Sequence, residues 1–326
     1  MSIWDILNIV LPIVMVVGIG YSVLVLQWFP KSAVPALGMF VTNIAVPLAL
    51  FTAIAPLDLR SIFDWRLVLV FGSVGLMMVG VSIMFGQRIL RYDLSASAIV
   101  AVGGATCNGV MFGLPIMGQA FGDVGIVALS VMFLSQSVFL VPFILVLADL
   151  GRNDGNNAVA VIGKAVIDAI RNPLITAILA GVAVAALGIE LPVLIAKPAS
   201  LLGVAGPGLA LFFAGAILQS AKMSGQFSVV TGITVLKLFL FPAAMYAGLL
   251  VAQWLTVSFG WPAISKELLS AIFVLSTMPM IGVFVPLAAK YGVGESAAAA
   301  MLPTTALAAI TISAALWLAS NIPLFG

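Results

Sequence analysis

Apolar residues follow one another along this chain in long blocks, which charged residues, prolines and glycines separate at short intervals. A helix needs roughly 20 mostly apolar residues to cross a lipid bilayer. The blocks have about this length, so the pattern predicts a series of membrane-spanning helices. The ten predicted spans lie at 5–26, 34–55, 66–87, 97–119, 124–148, 172–190, 199–220, 227–255, 266–288 and 294–320.

One strongly polar stretch, Asp149 to Asn157, divides the chain nearly in half and leaves five predicted spans on each side. Because five is odd, a second half that repeats the first must enter the membrane in the opposite sense, as in many secondary transporters. A shift of 171 residues also aligns Thr106 with Thr277. The sequence therefore predicts an all-α integral membrane protein with two inverted five-helix repeats, at 1–149 and 166–326, joined by a linker at 150–165.

The composition supports a membrane protein and argues against other classes. Hydrophobic residues make up 63% of the 326 positions and charged residues 7%, whereas a soluble domain carries about 25% charged residues. The chain has one cysteine, Cys107, and no histidine, so we expect no disulfide, no metal site and no cofactor. The net charge of +2 is too small to indicate nucleic-acid binding. Without paired carboxylates or a metal-ligand cluster, we expect no enzymatic activity.

The basic residues of the loops predict how the chain is oriented. Cytoplasmic loops carry an excess of lysine and arginine, and placing the N-terminus outside gives eight basic residues inside and four outside. This orientation predicts a multi-pass protein of the cell inner membrane with both termini on the periplasmic side. Asp5 and the long first apolar run favour a retained first helix over a cleaved signal peptide. The inside set is Lys31, Arg88, Arg91, Arg152, Lys164, Arg171, Lys222 and Lys290, and the outside set is Arg60, Arg66, Lys197 and Lys266.

The fourth and ninth predicted spans each contain glycine and proline where a helix is expected to be continuous. The fourth has two glycines and Pro115 close to Asn108, and the ninth has Pro279, Gly282 and Pro286. Proline removes a backbone donor and disturbs the preceding turn. A broken helix cannot face lipid, because its free backbone groups would stay unsatisfied. Interruptions in corresponding spans of the two halves indicate a transporter's binding site, although a proline kink with a purely structural role is the alternative.

The chemistry of such a site favours an anion. Broken helices expose N-termini, which carry partial positive charge and free N–H donors, and the Asn108 amide adds two further donors. No carboxylate lies in the middle of either broken span, where a sodium or proton site usually has one. Lys237 is a functional candidate within the eighth span, but snorkelling of its head to the interface is the favoured interpretation. The candidate substrate-binding residues are Asn108, Gly109, Pro115, Met278, Pro279, Asn43 and Gln136, with helix–helix hydrogen bonding as the alternative for the last two.

Several of these residues also carry a resemblance to a known family. They are the run from Asn108 to Pro115, Pro279, the run from Ala45 to Phe51, and Lys237 with Pro242. In these segments the chain resembles the auxin efflux carrier family, which includes plant PIN exporters and bacterial carriers of malonate or malate. The resemblance extends over essentially the whole chain.

The resemblance implies a ten-helix design, shared with NhaA and bile acid symporters, in which helices 4 and 9 are broken and cross. Helices 1, 2, 6 and 7 form a scaffold, and helices 3–5 and 8–10 form a transport domain that moves in an elevator-type mechanism. Substrate binds at the crossing beside Asn108 and Pro279. The implied function is secondary transport of a small carboxylate, such as malonate, malate or an auxin-like acid. A sodium-coupled organic anion symporter is the alternative, and a homodimer stays open.

Overall fold

The computed structural model describes residues 1–57, 64–152, 163, 167, 171–220 and 227–322. Within these ranges every regular element is helical and no strand occurs. Seven of the helical stretches described are long and apolar enough to cross a membrane. The prediction of an all-α membrane protein is therefore confirmed. These seven stretches are Ile3–Val25, Lys31–Ile54, Trp65–Arg88, Leu94–Gly151, Val193–Gln219, Phe227–Ser258 and Gly294–Asn321.

Three features explain why seven stretches stand where the sequence predicts ten spans. Leu94–Gly151 extends over 58 residues and covers two predicted spans, which meet at Gly122, whose φ of 52° is a left-handed conformation that favours glycine. Pro173–Leu187 is apolar but only 15 residues long. The ninth predicted span is divided into two short helices, Lys266–Ser276 and Phe284–Lys290. The ten-helix arrangement in inverted halves stays a prediction.

The helix boundaries lie within about three residues of the predicted ones, apart from the start of the seventh predicted span. That helix begins at Val193 rather than at 199 and includes Pro198. The sixth predicted span ends at Leu187, where Gly188 takes a left-handed conformation and ends the helix. In chain order the α-helices are α1 Ile3–Val25, α2 Val34–Phe40, α3 Val46–Ile54, α4 Trp65–Arg88, α5 Leu94–Ala105, α6 Leu114–Leu134, α7 Val141–Gly151, α8 Pro173–Leu187, α9 Val193–Ser220, α10 Phe227–Val235, α11 Phe241–Ser258, α12 Lys266–Ser276, α13 Phe284–Lys290 and α14 Gly294–Asn321.

Among the residues that the structure describes, four short π-helical segments each lead into an α-helix, and each ends two residues before a proline. Proline has no N–H to donate and its ring collides with the carbonyl four residues earlier. A wider π turn relieves both conflicts locally, and such turns are frequent at functional sites. The four segments are Val41–Ala45 before Pro47, Gly109–Gly113 before Pro115, Ser135–Leu140 before Pro142, and Leu236–Leu240 before Pro242.

Glycines bring α1 and α9 into direct backbone contact. A Cβ atom placed on Gly20 would lie 2.1 Å from the carbonyl oxygen of Phe212, and one on Gly215 would lie 1.9 Å from that of Val17. Small residues that permit such close approach are typical of helix packing in membranes. The core includes residues of both helices, and the helices buried most continuously are α5, from Ser95 to Ala105, and α12, from Leu268 to Ser276.

Candidate functional site

The two interrupted helices touch each other at their interruptions. Helix α5 ends at Ala105, and a helical conformation resumes at Gly109. The backbone N–H of Asn108 donates to the carbonyl of Pro279 over 2.7 Å, and the N–H of Ile281 donates to the Thr106 hydroxyl over 3.4 Å. We call the two non-helical segments, 106–108 and 277–283, the crossing.

The Gln136 side chain satisfies the backbone of the first interruption. Its Oε1 accepts from the N–H of Cys107 over 2.7 Å, and its Nε2 donates to the carbonyl of the same residue over 3.1 Å. Both groups are buried, and a buried backbone group without a partner costs about 1–3 kcal/mol. The side-chain amide of this candidate residue is therefore engaged with the protein's own backbone.

Asn108 forms the N-terminal cap of the helical segment that follows it. Its Oδ1 accepts from the N–H of Met111 over 3.1 Å, in the manner of an N-cap residue. Its Nδ2 lies 3.3 Å from the thioether sulfur of Met111, which is a weak acceptor. The oxygen is thus occupied by the helix end, whereas the amide N–H groups keep donor capacity for a stronger acceptor.

Lys237 is wholly buried, with no exposed surface. The favoured interpretation from sequence, that its head snorkels to the interface, is wrong. The ammonium donates to the carbonyl of Ser276 over 3.0 Å and to Sγ of Cys107 over 3.2 Å. It also lies 4.2 Å from the centre of the Phe241 ring. The side chain points inward because the C-terminal carbonyl of α12 and the first interruption are both within its reach.

Close packing holds the other candidate residues at the crossing. A Cβ on Gly109 would lie 2.2 Å from Cε of Met132, and one on Gly282 would lie 2.6 Å from Cε of Met111. Pro115, Met278 and Pro279 are buried as well. The seven residues of α13 are too few for a strong dipole, so the main helix N-terminus at the crossing is the one at Gly109.

Asn43 is placed apart from this arrangement. Its side chain is exposed, and the Thr42 hydroxyl lies 3.5 Å from its Oδ1. The contacts that join the two interruptions, among the residues described, do not include it. The structure thus gathers Asn108, Gly109, Pro279 and Gln136 around the crossing and leaves Asn43 outside it.

The crossing is closed in this conformation. Asn108 is 3% exposed, while Val283 at the end of the second interruption is 54% exposed. Two cavities lie elsewhere. One, of about 580 Å³, lies between the ends of α3 and α8 beside Glu190, and one of about 560 Å³ lies between α1 and α14. Both lie at the periphery, next to exposed helix surfaces, and neither is lined by a residue of the crossing.

The described residues contain no group of three or more His, Cys, Asp or Glu side chains placed to hold a metal ion. The polar groups at the crossing are instead amides, hydroxyls, backbone groups and one ammonium. Such groups bind anions by donating hydrogen bonds. The sequence does not reveal that Cys107, Ser276 and Thr106 supply contacts, because their partners are 29 to 175 residues away.

A model of the family described as membrane transport protein matches residues 5–318, nearly the whole chain. This is the family of the auxin efflux carriers. The chain belongs to it. Membership confirms the resemblance inferred from sequence, and it identifies the protein as a multi-pass membrane transporter. No curated protein matches the chain in a sequence comparison.

Proposed function

We propose that this auxin efflux carrier family member is a secondary transporter of a small organic carboxylate that binds at the crossing. The observation that carries the proposal is the buried juxtaposition of three groups that favour negative charge. They are the Asn108 amide donors, the helix N-terminus at Gly109, and the Lys237 ammonium beside Cys107. A carboxylate placed there accepts charge-assisted hydrogen bonds, which are the stronger kind.

The proposal also covers how the site moves across the membrane. We propose ten helices in two inverted repeats, with helices 1, 2, 6 and 7 as a scaffold and the crossing inside a transport domain that moves in an elevator manner. The backbone contact of α1 with α9 supports a rigid scaffold. The hydrogen bonds across the crossing support a domain that moves as one body. The basic-residue count favours both termini outside.

Uptake into proteoliposomes tests the proposal. Purified protein is reconstituted and supplied with labelled malonate, malate or indole-3-acetate at both polarities of membrane potential. We expect saturable uptake of at least one of these acids, competed by unlabelled acid. Empty liposomes and liposomes with heat-denatured protein are the controls. If none of the three acids is taken up at either of the two polarities, the proposal is overturned.

Sodium coupling is the alternative to be separated in the same assay. Carboxylate oxygens are favoured side-chain ligands of hard cations, and the buried side chains described include none. We therefore expect equal uptake when choline replaces sodium in the external buffer. Uptake that requires sodium would instead place the protein among sodium-coupled organic anion symporters.

A further inference from the structure

Lys237 is the one charged side chain among the buried residues that the structure describes. It lies in the π-helical segment Leu236–Leu240, between α10 and α11. Charged side chains within a membrane are costly and are kept at substrate or ion pathways. The buried charge of Lys237 therefore needs a group that balances it.

The partners of the ammonium are favourable but carry no full negative charge. The carbonyl of Ser276 is at the C-terminal end of α12, where the helix dipole is negative. The face of the Phe241 ring attracts cations, and the Cys107 sulfur is a weak acceptor. The described part of the chain contains one salt bridge, and it joins Arg66 to Asp64 rather than involving Lys237.

The Lys237 ammonium donates hydrogen bonds at both interrupted helices of the crossing. Cys107 directly precedes Asn108, the candidate substrate ligand, and Ser276 is the residue before the second interruption. Asn108 is in turn bonded to the carbonyl of Pro279. Any movement of the crossing as one body therefore carries the Lys237 charge with it.

We propose that Lys237 provides a fixed positive charge that travels with the substrate site, so that a bound carboxylate is its counter-ion. This inference rests on the proposed carrier function and adds the charge of each transport step. The empty site carries +1. The site loaded with a monocarboxylate is neutral, and the site loaded with a dicarboxylate carries −1.

The consequence concerns which step the membrane potential acts on. A unit charge that crosses the whole field changes the equilibrium between two orientations by up to about 50-fold for a potential of about 100 mV. With Lys237 charged, the return of the empty site responds to the potential. Without that charge, only the loaded step responds, because the empty site is then neutral.

Two modes of transport separate these steps. Exchange of labelled for unlabelled substrate uses only the loaded step, whereas net uptake also requires the empty return. Proteoliposomes with valinomycin and a potassium gradient set the potential, with labelled indole-3-acetate as the monoanion and labelled malonate as the dianion. In the wild type we expect net uptake to be more voltage-sensitive than exchange for either acid. Exchange of indole-3-acetate is expected to be independent of the potential.

Variants assign the effect to the lysine. In Lys237→Met, exchange of either acid is expected to become more voltage-sensitive than in the wild type, and net uptake no more sensitive than exchange. Lys237→Arg keeps the charge and should keep the wild-type pattern. Cys107→Ala removes the thiol but not the ammonium, so it should also keep this pattern. Lys266→Gln removes an exposed lysine at the start of α12 and serves as the matched control.

The outcomes are distinguishable from a failure of the proposed function. If the wild type carries neither acid, the carrier function itself fails. If it carries one, and its net uptake is no more voltage-sensitive than its exchange, only the inference about Lys237 fails. A wild-type pattern in Lys237→Met also overturns it, as does the Lys237→Met pattern in Cys107→Ala. If Lys237→Met does not fold, the wild-type comparison alone decides.

Discussion

The amide nitrogen of Asn108 lies 2.7 Å from the carbonyl oxygen of Pro279, so a backbone hydrogen bond joins the two interrupted helices. Because both partners are main-chain atoms, substitution of the Asn108 side chain leaves the donor and the acceptor of this hydrogen bond in place. The Asn108 side chain has a separate task, because it caps the helical segment that starts at Gly109. The two tasks of this residue are separable by experiment.

Asn108→Ser and Asn108→Ala separate capping from substrate binding. Serine is as good an N-cap as asparagine, whereas alanine costs about 0.5–2 kcal/mol of stability. Serine also adds no charge at this buried position, and it removes the two amide N–H donors. We expect Asn108→Ser to keep the wild-type melting temperature in detergent and to lose at least about tenfold in carboxylate uptake, the cost of a lost hydrogen bond to a charged group. Asn108→Ala should lower both the melting temperature and the uptake, and full uptake by Asn108→Ser would exclude the amide from the site.

Gln136→Leu tests the support of the first interruption. The change leaves the buried N–H of Cys107 without its partner, at a cost of about 1–3 kcal/mol, whereas the Cys107 carbonyl keeps its hydrogen bond from the N–H of Gly109. We expect a clearly lower melting temperature. The matched control is Gln219→Leu, since Oε1 of Gln219 is buried without a hydrogen-bond partner, and this variant should be nearly neutral. Equal melting temperatures for the two variants would contradict the role of Gln136.

Gly215→Ala tests the contact between α1 and α9. The added Cβ would lie 1.9 Å from the Val17 carbonyl oxygen, a backbone atom that moves only with its helix. We expect a loss of about 1–3 kcal/mol, the usual cost of overpacking, seen as a lower melting temperature. Gly208→Ala, in the same helix, adds a Cβ with no atom within 4 Å. It should leave stability unchanged or raise it by up to about 1 kcal/mol.

Tyr291 gives a prediction at high pH. Burial and its hydrogen bond to Asp149 raise the pKa of Tyr291 from 10.0 to about 12. Because the unfolded chain ionises first, the contribution of this group to stability is complete below about pH 10 and lost as pH rises towards 12. Phenolate absorbance should therefore show one late-titrating tyrosine, which Tyr291→Phe removes. Tyr21→Phe, at an exposed position, should leave that late component, and its loss there would contradict the assignment.

Helix positions and the two interruptions could be predicted from sequence because each has a local cause. Long apolar runs specify the helices, and Pro115 and Pro279 mark the interruptions through the donors they lack. The break at Gly122 also has a local cause, because a short glycine-containing segment separates two apolar runs there. In each case the determining residues are neighbours in the chain.

The contacts of the candidate site could not be predicted in the same way. Gln136 pairs with a residue 29 positions earlier, and Lys237 with one 130 positions earlier. Only the tertiary arrangement brings these groups together. The sequence favours snorkelling for Lys237 because a long stem usually reaches the interface. In the structure the ammonium instead contacts the Ser276 carbonyl and the Phe241 ring inside the protein. No periodicity in the sequence reveals these contacts.

The π-helical segments also change how these helices must be compared with one another. A π turn contains one residue more than an α turn, so the residues after it are rotated by about 100° relative to an uninterrupted α-helix. In Phe227–Ser258, the apolar stripe before Leu236–Leu240 and the one after it are therefore out of phase by one residue. A comparison of apolar stripes along such a helix must count this extra residue, and a one-residue deletion there would turn the whole downstream face towards different neighbours.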